Sequence, residues 1–162
     1  MRVVVRDGWL TAPGLRMPAV IGVGGVRRDK REGDGATPAG LLPLRRVLYR
    51  ADRLRRPAAA VPVTLLAPAD GWCDDPADAR YNTAVTLPYD ARHEALWRGD
   101  SVYDVIGVLG WNDAPVVRGA GSAIFLHVSR PDRAPTQGCV ALPLPELLEV
   151  LAAGVTELLI EA

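Results

Sequence analysis

Two residues stand out for the chemistry their types and spacing allow. His127 lies twelve residues before Cys139, in Ile124-Phe125-Leu126-His127-Val128 and then Thr136-Gln137-Gly138-Cys139-Val140-Ala141. A free thiol titrates near a pKa of about 8.5, so only a few per cent is thiolate at neutral pH; an imidazole within reach raises its reactivity. Such a pair suits acyl transfer: sulfur attacks an amide carbonyl, and the imidazolium returns the proton to the departing amine. Gly138 has no side chain, so a carbonyl substrate can approach the backbone there. The N–H groups of Gly138 and Cys139 are candidate donors to the oxyanion that develops. The imidazole needs an acceptor for its other ring N–H, and the Val128 carbonyl or the Ser129 hydroxyl is placed to serve. Against this stands the ordinary case, in which a lone cysteine is a small buried hydrophobe and a histidine at a strand end is structural.

The elements around the pair must bring it together. Ile124–Val128 reads as a strand. The Arg130-Pro131-Asp132-Arg133-Ala134-Pro135 stretch is turn chemistry, because both prolines interrupt helix and ladder alike. The chain can therefore double back and set Cys139 beside His127. Further short β-leaning runs are Val3–Val5, Ala19–Val23, Val61–Leu66, Val102–Leu109 and Glu157–Ile160, separated by the chain's 14 prolines and 16 glycines. That punctuation predicts a mainly β sandwich or barrel. One or two short helices complete it. Pro145–Ala153 has a first-turn proline, an apolar face of Leu147, Leu148 and Leu151, and a stop at Gly154. Leu42–Leu54 carries apolar residues among arginines and is the second candidate, although Pro43 and Val47 weaken it.

With 162 residues the chain is expected to form one domain, spanning residues 1–162, with a core that needs no covalent staples. Nineteen basic residues balance nineteen acidic ones, which removes a global field for nucleic acid. The arginines at 45, 46, 50, 53, 55 and 56 then read as a solvated helix face. Cys73 and Cys139 do not make a disulfide framework. No run approaches the ~18 apolar residues of a membrane span. The first ten residues lack the apolar core of a secretory leader, so a cytoplasmic location is expected unless a leader has been removed, in which case the cell envelope is.

The segment resembles the catalytic domain of the L,D-transpeptidase (YkuD-like) family. That family carries a strand ending in histidine, a loop, and then Ser/Thr-His-Gly-Cys before an apolar residue. Here His127 matches the base and Cys139 the nucleophile, and Val128 falls where the family lends a backbone carbonyl to the imidazole. Gln137 stands where the family usually has histidine, and Ala141 where it usually has arginine or asparagine. Lys30-Arg31-Glu32-Gly33-Asp34-Gly35-Ala36-Thr37-Pro38 resembles the family's Thr-Pro-x-Gly turn. Trp72-Cys73-Asp74-Asp75, Tyr81-Asn82 and Tyr103-Asp104 resemble a compact subgroup, so the likeness extends over most of residues 20–145. It implies a mainly β catalytic fold and action at the diaminopimelate–D-alanine bond of peptidoglycan tetrapeptide stems.

On that basis the expected partners are peptidoglycan stems or muropeptides, the expected state is a monomer, and no metal or cofactor is expected. Lys30 and Thr37 are candidate cleft-wall residues, although the loop also reads as a solvated turn. Trp72, Asp74, Asp75, Tyr81 and Asn82 could cradle a stem bearing an amino group, or simply anchor a loop. Thr136 and Gln137 flank the nucleophile and face substrate in the same reading. A zinc set of Cys73, His93, His127 and Cys139 lacks the close pairs such sites use. Gly22-Val23-Gly24-Gly25 opens no helix and so makes no dinucleotide loop. Three functions follow in order: an L,D-transpeptidase; an L,D-carboxypeptidase in which water resolves the acyl-enzyme, suited to recycled fragments; and a peptidoglycan-binding module with an inert pair.

Overall fold

A computed structural model describes residues 1–162, with 36% of them in strands and 6% in helix. In chain order the elements are β1 (Arg2–Arg6), β2 (Trp9–Ala12), β3 (Leu15–Pro18), β4 (Val26–Arg27), β5 (Thr37–Pro38), β6 (Gly40–Tyr49) and β7 (Val63–Leu65). They continue as β8 (Asp70–Cys73), β9 (Ala84–Thr86), β10 (His93–Ala95), β11 (Val105–Leu109), β12 (Phe125–Val128), β13 (Val140–Leu142), α1 (Leu144–Ala152) and β14 (Glu157–Ile160).

The main sheet runs β13-β12-β11-β6-β14-β1-β2-β3, with β7 added on β6. Its two ends are stitched together by Val20, whose N–H and C=O exchange 2.8 Å hydrogen bonds with Ala141 of β13. The sheet is thus a nearly closed barrel, in keeping with the expected mainly β architecture. Closure removes an open edge that would otherwise invite pairing with another chain.

Ala19–Val23, expected as a strand, supplies these closing contacts instead, as bridges at Val20 and Gly22. The helix expected over Leu42–Leu54 is corrected: Gly40–Tyr49 is the longest strand of the sheet. The physical reason is tertiary. Residues 40–43 pair with β14, residues 44–49 pair with β11, and residues 47–49 also pair with β7. Proline at 43 is costly inside a helix, while here it sits where β6 passes from one partner to the next. The arginines are likewise not a helix face. Arg45 pairs with Asp113 at 3.0 Å, Arg53 with Asp104 at 2.8 Å, and Arg50 stacks 3.5 Å over Trp97 while pairing with Asp52.

α1 forms where expected, with a proline in its first turn. Leu147, Val150 and Leu151 are fully buried against the sheet, each removal from water stabilising by about 1.5–3 kcal/mol. Gly154, at φ 94°, ends the helix and donates to Leu151 O at 3.0 Å.

Strands near the site are buried on both faces. Val105 and Leu109 of β11 join a 23-residue core inside the barrel, while Ile106 and Val108 join a second, 10-residue cluster on the opposite face. β12 divides the same way. Leu126 and Val128 enter the larger core, and Phe125 enters the smaller one together with Cys139. The two-residue period of a strand therefore puts His127 on the face that Phe125 shares with Cys139.

Candidate active site

β12 and β13 run parallel, with His127 opposite Ala141 and Leu126 opposite Val140. Cys139 immediately precedes β13, so the register sets it beside Phe125, one step diagonal from His127 on the same face. The Phe125 N–H donates to Cys139 Sγ at 3.4 Å, and the thiol donates to Ala123 O at 3.2 Å. The thiol's hydrogen bond thus goes to a carbonyl and not to the imidazole. Cys139 and His127 both line one cavity of about 350 Å³.

His127 Nδ1 lies 2.9 Å from Val128 O. A carbonyl only accepts, so Nδ1 carries the hydrogen and Nε2 keeps its lone pair for proton uptake. Burial pushes the imidazole pKa down to about 4. It pushes the thiol up to about 12, with the Glu94 carboxylate adding to the shift and the Phe125 amide opposing it. Both effects have one origin, since a charge is poorly solvated there. At neutral pH the resting pair is a neutral thiol and a neutral imidazole.

The nucleophile turn is closed by Thr136. Its hydroxyl donates to Cys139 O at 2.7 Å and accepts from the Gly138 N–H at 3.1 Å. The Gly138 N–H is therefore engaged within the chain, whereas the Cys139 N–H has no hydrogen-bond partner and is free to meet an oxyanion. Gly138 adopts φ 139°, and a Cβ there would come within 2.8 Å of Ala36 O. Only glycine fits both demands.

Of the residues expected to touch substrate, Asp74, Thr136 and Gln137 line the cavity. The others do not line it. Asn82 is buried at φ 57°; its side-chain oxygen accepts from Trp72 Nε1 at 3.0 Å and from the Ala123 N–H at 3.1 Å, and its amide donates to Trp111 O and Asn112 O. Ala123 itself is held at φ 52°, a conformation costing about 1–3 kcal/mol for a residue other than glycine. Asn82 thereby fixes the carbonyl that receives the thiol. Trp72 packs edge-on against Phe125, with ring centroids 5.2 Å apart. Thr37 Oγ1 accepts the Gly22 N–H at 2.8 Å. Lys30 is buried in an ion pair with Asp34 at 2.5 Å, and Asp75 caps the Ala77 N–H. Tyr81 donates to Glu32 at 2.7 Å and accepts from the Gly121 N–H.

Sequence reasoning passed over Glu32, Glu94, Arg98, Tyr103, Ser122 and Arg130, which also line the cavity. Tyr103 donates to Glu94 at 2.7 Å and sets its ring edge-on to His127, centroids 5.3 Å apart. Glu32 and Tyr103 lie in stretches quoted above for their resemblance; Glu94, in a plain three-residue strand, carries no local signal.

No group of three or more His, Cys, Asp or Glu side chains is arranged to hold a metal ion. Cys73 and His93 face each other across β8 and β10, on a different sheet from His127 and Cys139.

The fold and cavity together define a barrel-like β protein in which a cysteine and a tautomer-fixed histidine share one opening. The family model for the L,D-transpeptidase catalytic domain, YkuD, matches residues 1–157, and the chain belongs to that family, whose members act on peptidoglycan. A comparison with curated proteins found no match. No helix is long and apolar enough to cross a membrane.

Proposed function

We propose that this chain is an L,D-transpeptidase that uses Cys139 as nucleophile and His127 as base on peptidoglycan tetrapeptide stems. The observation carrying the proposal is that the family match spans residues 1–157 while the cysteine and histidine open into the same cavity. Because thiol and imidazole are both neutral at rest, the proton moves as the carbon–sulfur bond forms. Sγ leaves Ala123 O and attacks the carbonyl carbon on the L-centre side of diaminopimelate, and Nε2 of His127 takes the thiol proton. The oxyanion meets the Cys139 N–H. Collapse breaks the C–N bond, the imidazolium protonates the amine, and D-alanine leaves. An amine of a second stem then attacks the thioester, His127 takes its proton, and the thiol is restored.

The test is incubation with a disaccharide-tetrapeptide, with and without an acceptor amine. A cross-linked product that requires the acceptor is expected. Tripeptide as the sole product in both reactions would make water the acceptor and the protein an L,D-carboxypeptidase. No turnover and no thioester would leave a binding module.

A further inference from the structure

The carbonyl of Ala123 is the acceptor that the resting thiol of Cys139 uses, at 3.2 Å. No sheet ladder fixes that carbonyl. Gly121, Ser122 and Ala123 lie just before β12, and none of them hydrogen-bonds to another backbone group. Side chains hold them instead, one tie to each residue. The Gly121 N–H donates to the Tyr81 hydroxyl oxygen at 3.0 Å, the Ser122 hydroxyl donates to Glu32 at 2.5 Å, and the Ala123 N–H donates to Asn82 at 3.1 Å. Tyr81 in turn donates to the same oxygen of Glu32, Oε1, at 2.7 Å. Glu32 therefore commands two of the three ties, one directly and one through Tyr81.

The loop that carries Glu32 is packed against this segment. The Glu32 N–H donates to Gly119 O at 2.8 Å, and a Cβ on Gly121 would fall 3.0 Å from Trp111 Nε1 and 3.1 Å from Lys30 Cε. Asp34 braces the loop from within: it pairs with Lys30 and accepts the N–H groups of Arg31 and Ala36, each at 2.9 Å. A single oxygen that receives two hydroxyl hydrogens needs two lone pairs in the plane of a carbonyl or carboxylate, which Glu32 supplies.

We propose that Glu32 is a positioning residue for the nucleophile: by gathering the Tyr81 and Ser122 hydroxyls on one oxygen it fixes residues 121–123, and so aims the Ala123 carbonyl that holds the thiol in one orientation. The inference rests on Cys139 being the nucleophile proposed above. Ala123 stands at φ 52°, a left-handed conformation that alanine leaves when it is released. Loss of the ties relaxes it by swinging the peptide that bears the carbonyl. The thiol then samples several orientations, and fewer encounters present sulfur correctly to a substrate carbonyl. The role is one of acceptor geometry and not of charge, so an amide oxygen at the same place serves as well.

The experiment reads the S–H stretching band of Cys139 by infrared spectroscopy without substrate, in a Cys73→Ala background that leaves one thiol, beside steady-state kinetics with a tetrapeptide. In Glu32→Ala the band should broaden and move to higher wavenumber, as the hydrogen bond to Ala123 weakens. The same variant should lose about ten- to a hundred-fold in kcat with KM little changed. Glu32→Gln should restore the band and most of kcat. If Glu32→Ala does not fold, Ser122→Ala, which deletes only the hydroxyl, carries the same expectation for the band. In a double-mutant cycle Glu32→Ala with Ser122→Ala should be no worse than Glu32→Ala alone. A band unmoved in folded Glu32→Ala or in Ser122→Ala would overturn the inference, and so would equal effects of Glu32→Gln and Glu32→Ala, which would make charge the cause. The band is read without turnover, so a protein that shows the expected shifts yet forms no thioester from tetrapeptide refutes the proposed function and leaves the role of Glu32 standing.

Discussion

The molecule contains two cysteine–histidine pairs on β-sheets, and only one has the surroundings of a reactive site. Cys73 faces His93 directly across the antiparallel pair β8 and β10, while Cys139 lies diagonal to His127 across the parallel pair β12 and β13. Both histidines have Nδ1 against a backbone carbonyl, Ala91 O at 2.8 Å and Val128 O at 2.9 Å. Both thiols are buried, and burial raises the pKa of both. What separates them is access and the groups at the sulfur. Cys139 opens into a cavity, receives an amide N–H, and has a free N–H at its own backbone nitrogen. Cys73 lies against the Asp78 carboxylate at 3.7 Å, with a tyrosine hydroxyl donating to the same carboxylate at 2.6 Å. Nearness of imidazole to thiol does not by itself make a nucleophile; space for a carbonyl and donors for an oxyanion are also required.

That contrast can be broken most sharply by removing each sulfur. Cys139→Ala should lower turnover of a tetrapeptide by at least about a thousand-fold, and Cys73→Ala should leave it within a few-fold. Product quantification by chromatography reads both. The bases come next. His127→Ala should cost about 10²–10⁴ in kcat, the usual contribution of a general base, and His93→Ala should leave kcat unchanged. A large loss in His93→Ala would mean that the two pairs are coupled.

The walls behind the two sulfurs differ as well. Asn82→Ala leaves the Trp72 Nε1, the Ala123 N–H and two carbonyls without their partner, and should destabilise the fold by about 2–4 kcal/mol in denaturant unfolding. Asp78→Asn, beside Cys73 at a more open site, should cost less than about 1 kcal/mol.

The histidines supply a subtler test through pH. The folded-state pKa of His127, about 4, lies below its ordinary value of 6.5. Between these two values the unfolded chain binds more protons, so stability is full above pH about 6.5 and falls as pH drops toward 4. Glu94, whose pKa is raised, works in the opposite sense. The His127 contribution is therefore read from the difference between the wild type and His127→Gln, which should show the flatter acid limb. On the alkaline side Cys139, pushed up to about 12, holds its proton longer than the unfolded thiol does, so stability falls as pH rises above about 9.

How much of this was legible in the sequence depended on how local each cause is. α1 and β12 announced themselves, the first by its apolar face between proline and glycine, the second as an apolar run ending in histidine before a turn. β6 did not, because its arginines and Pro43 carry no strand period and its conformation is imposed by partners on both edges. Ala19–Val23 has strand composition, yet it pairs only at the isolated bridges of Val20 and Gly22, which no local pattern announces. At the site, the turn and the parallel register that place Cys139 on His127's face were foreshadowed by Pro131, Pro135 and the glycine before the cysteine. The acidic wall of Glu32, Asp74 and Glu94 was mostly hidden, since three separate segments of the chain, two loops and β10, bring it together. Trp72 and Asn82 were recognised as a set, but no spacing rule tells a residue facing substrate from one that braces the wall behind it.

The most direct test of the central claim is intact-protein mass spectrometry after mixing the protein with a disaccharide-tetrapeptide, followed by peptide mapping of the modified residue. A covalent adduct equal to the stem less D-alanine, mapped to Cys139, is the predicted result. An adduct on Cys73, or a tetrapeptide consumed by a protein whose Cys139 has been replaced by alanine, would contradict it.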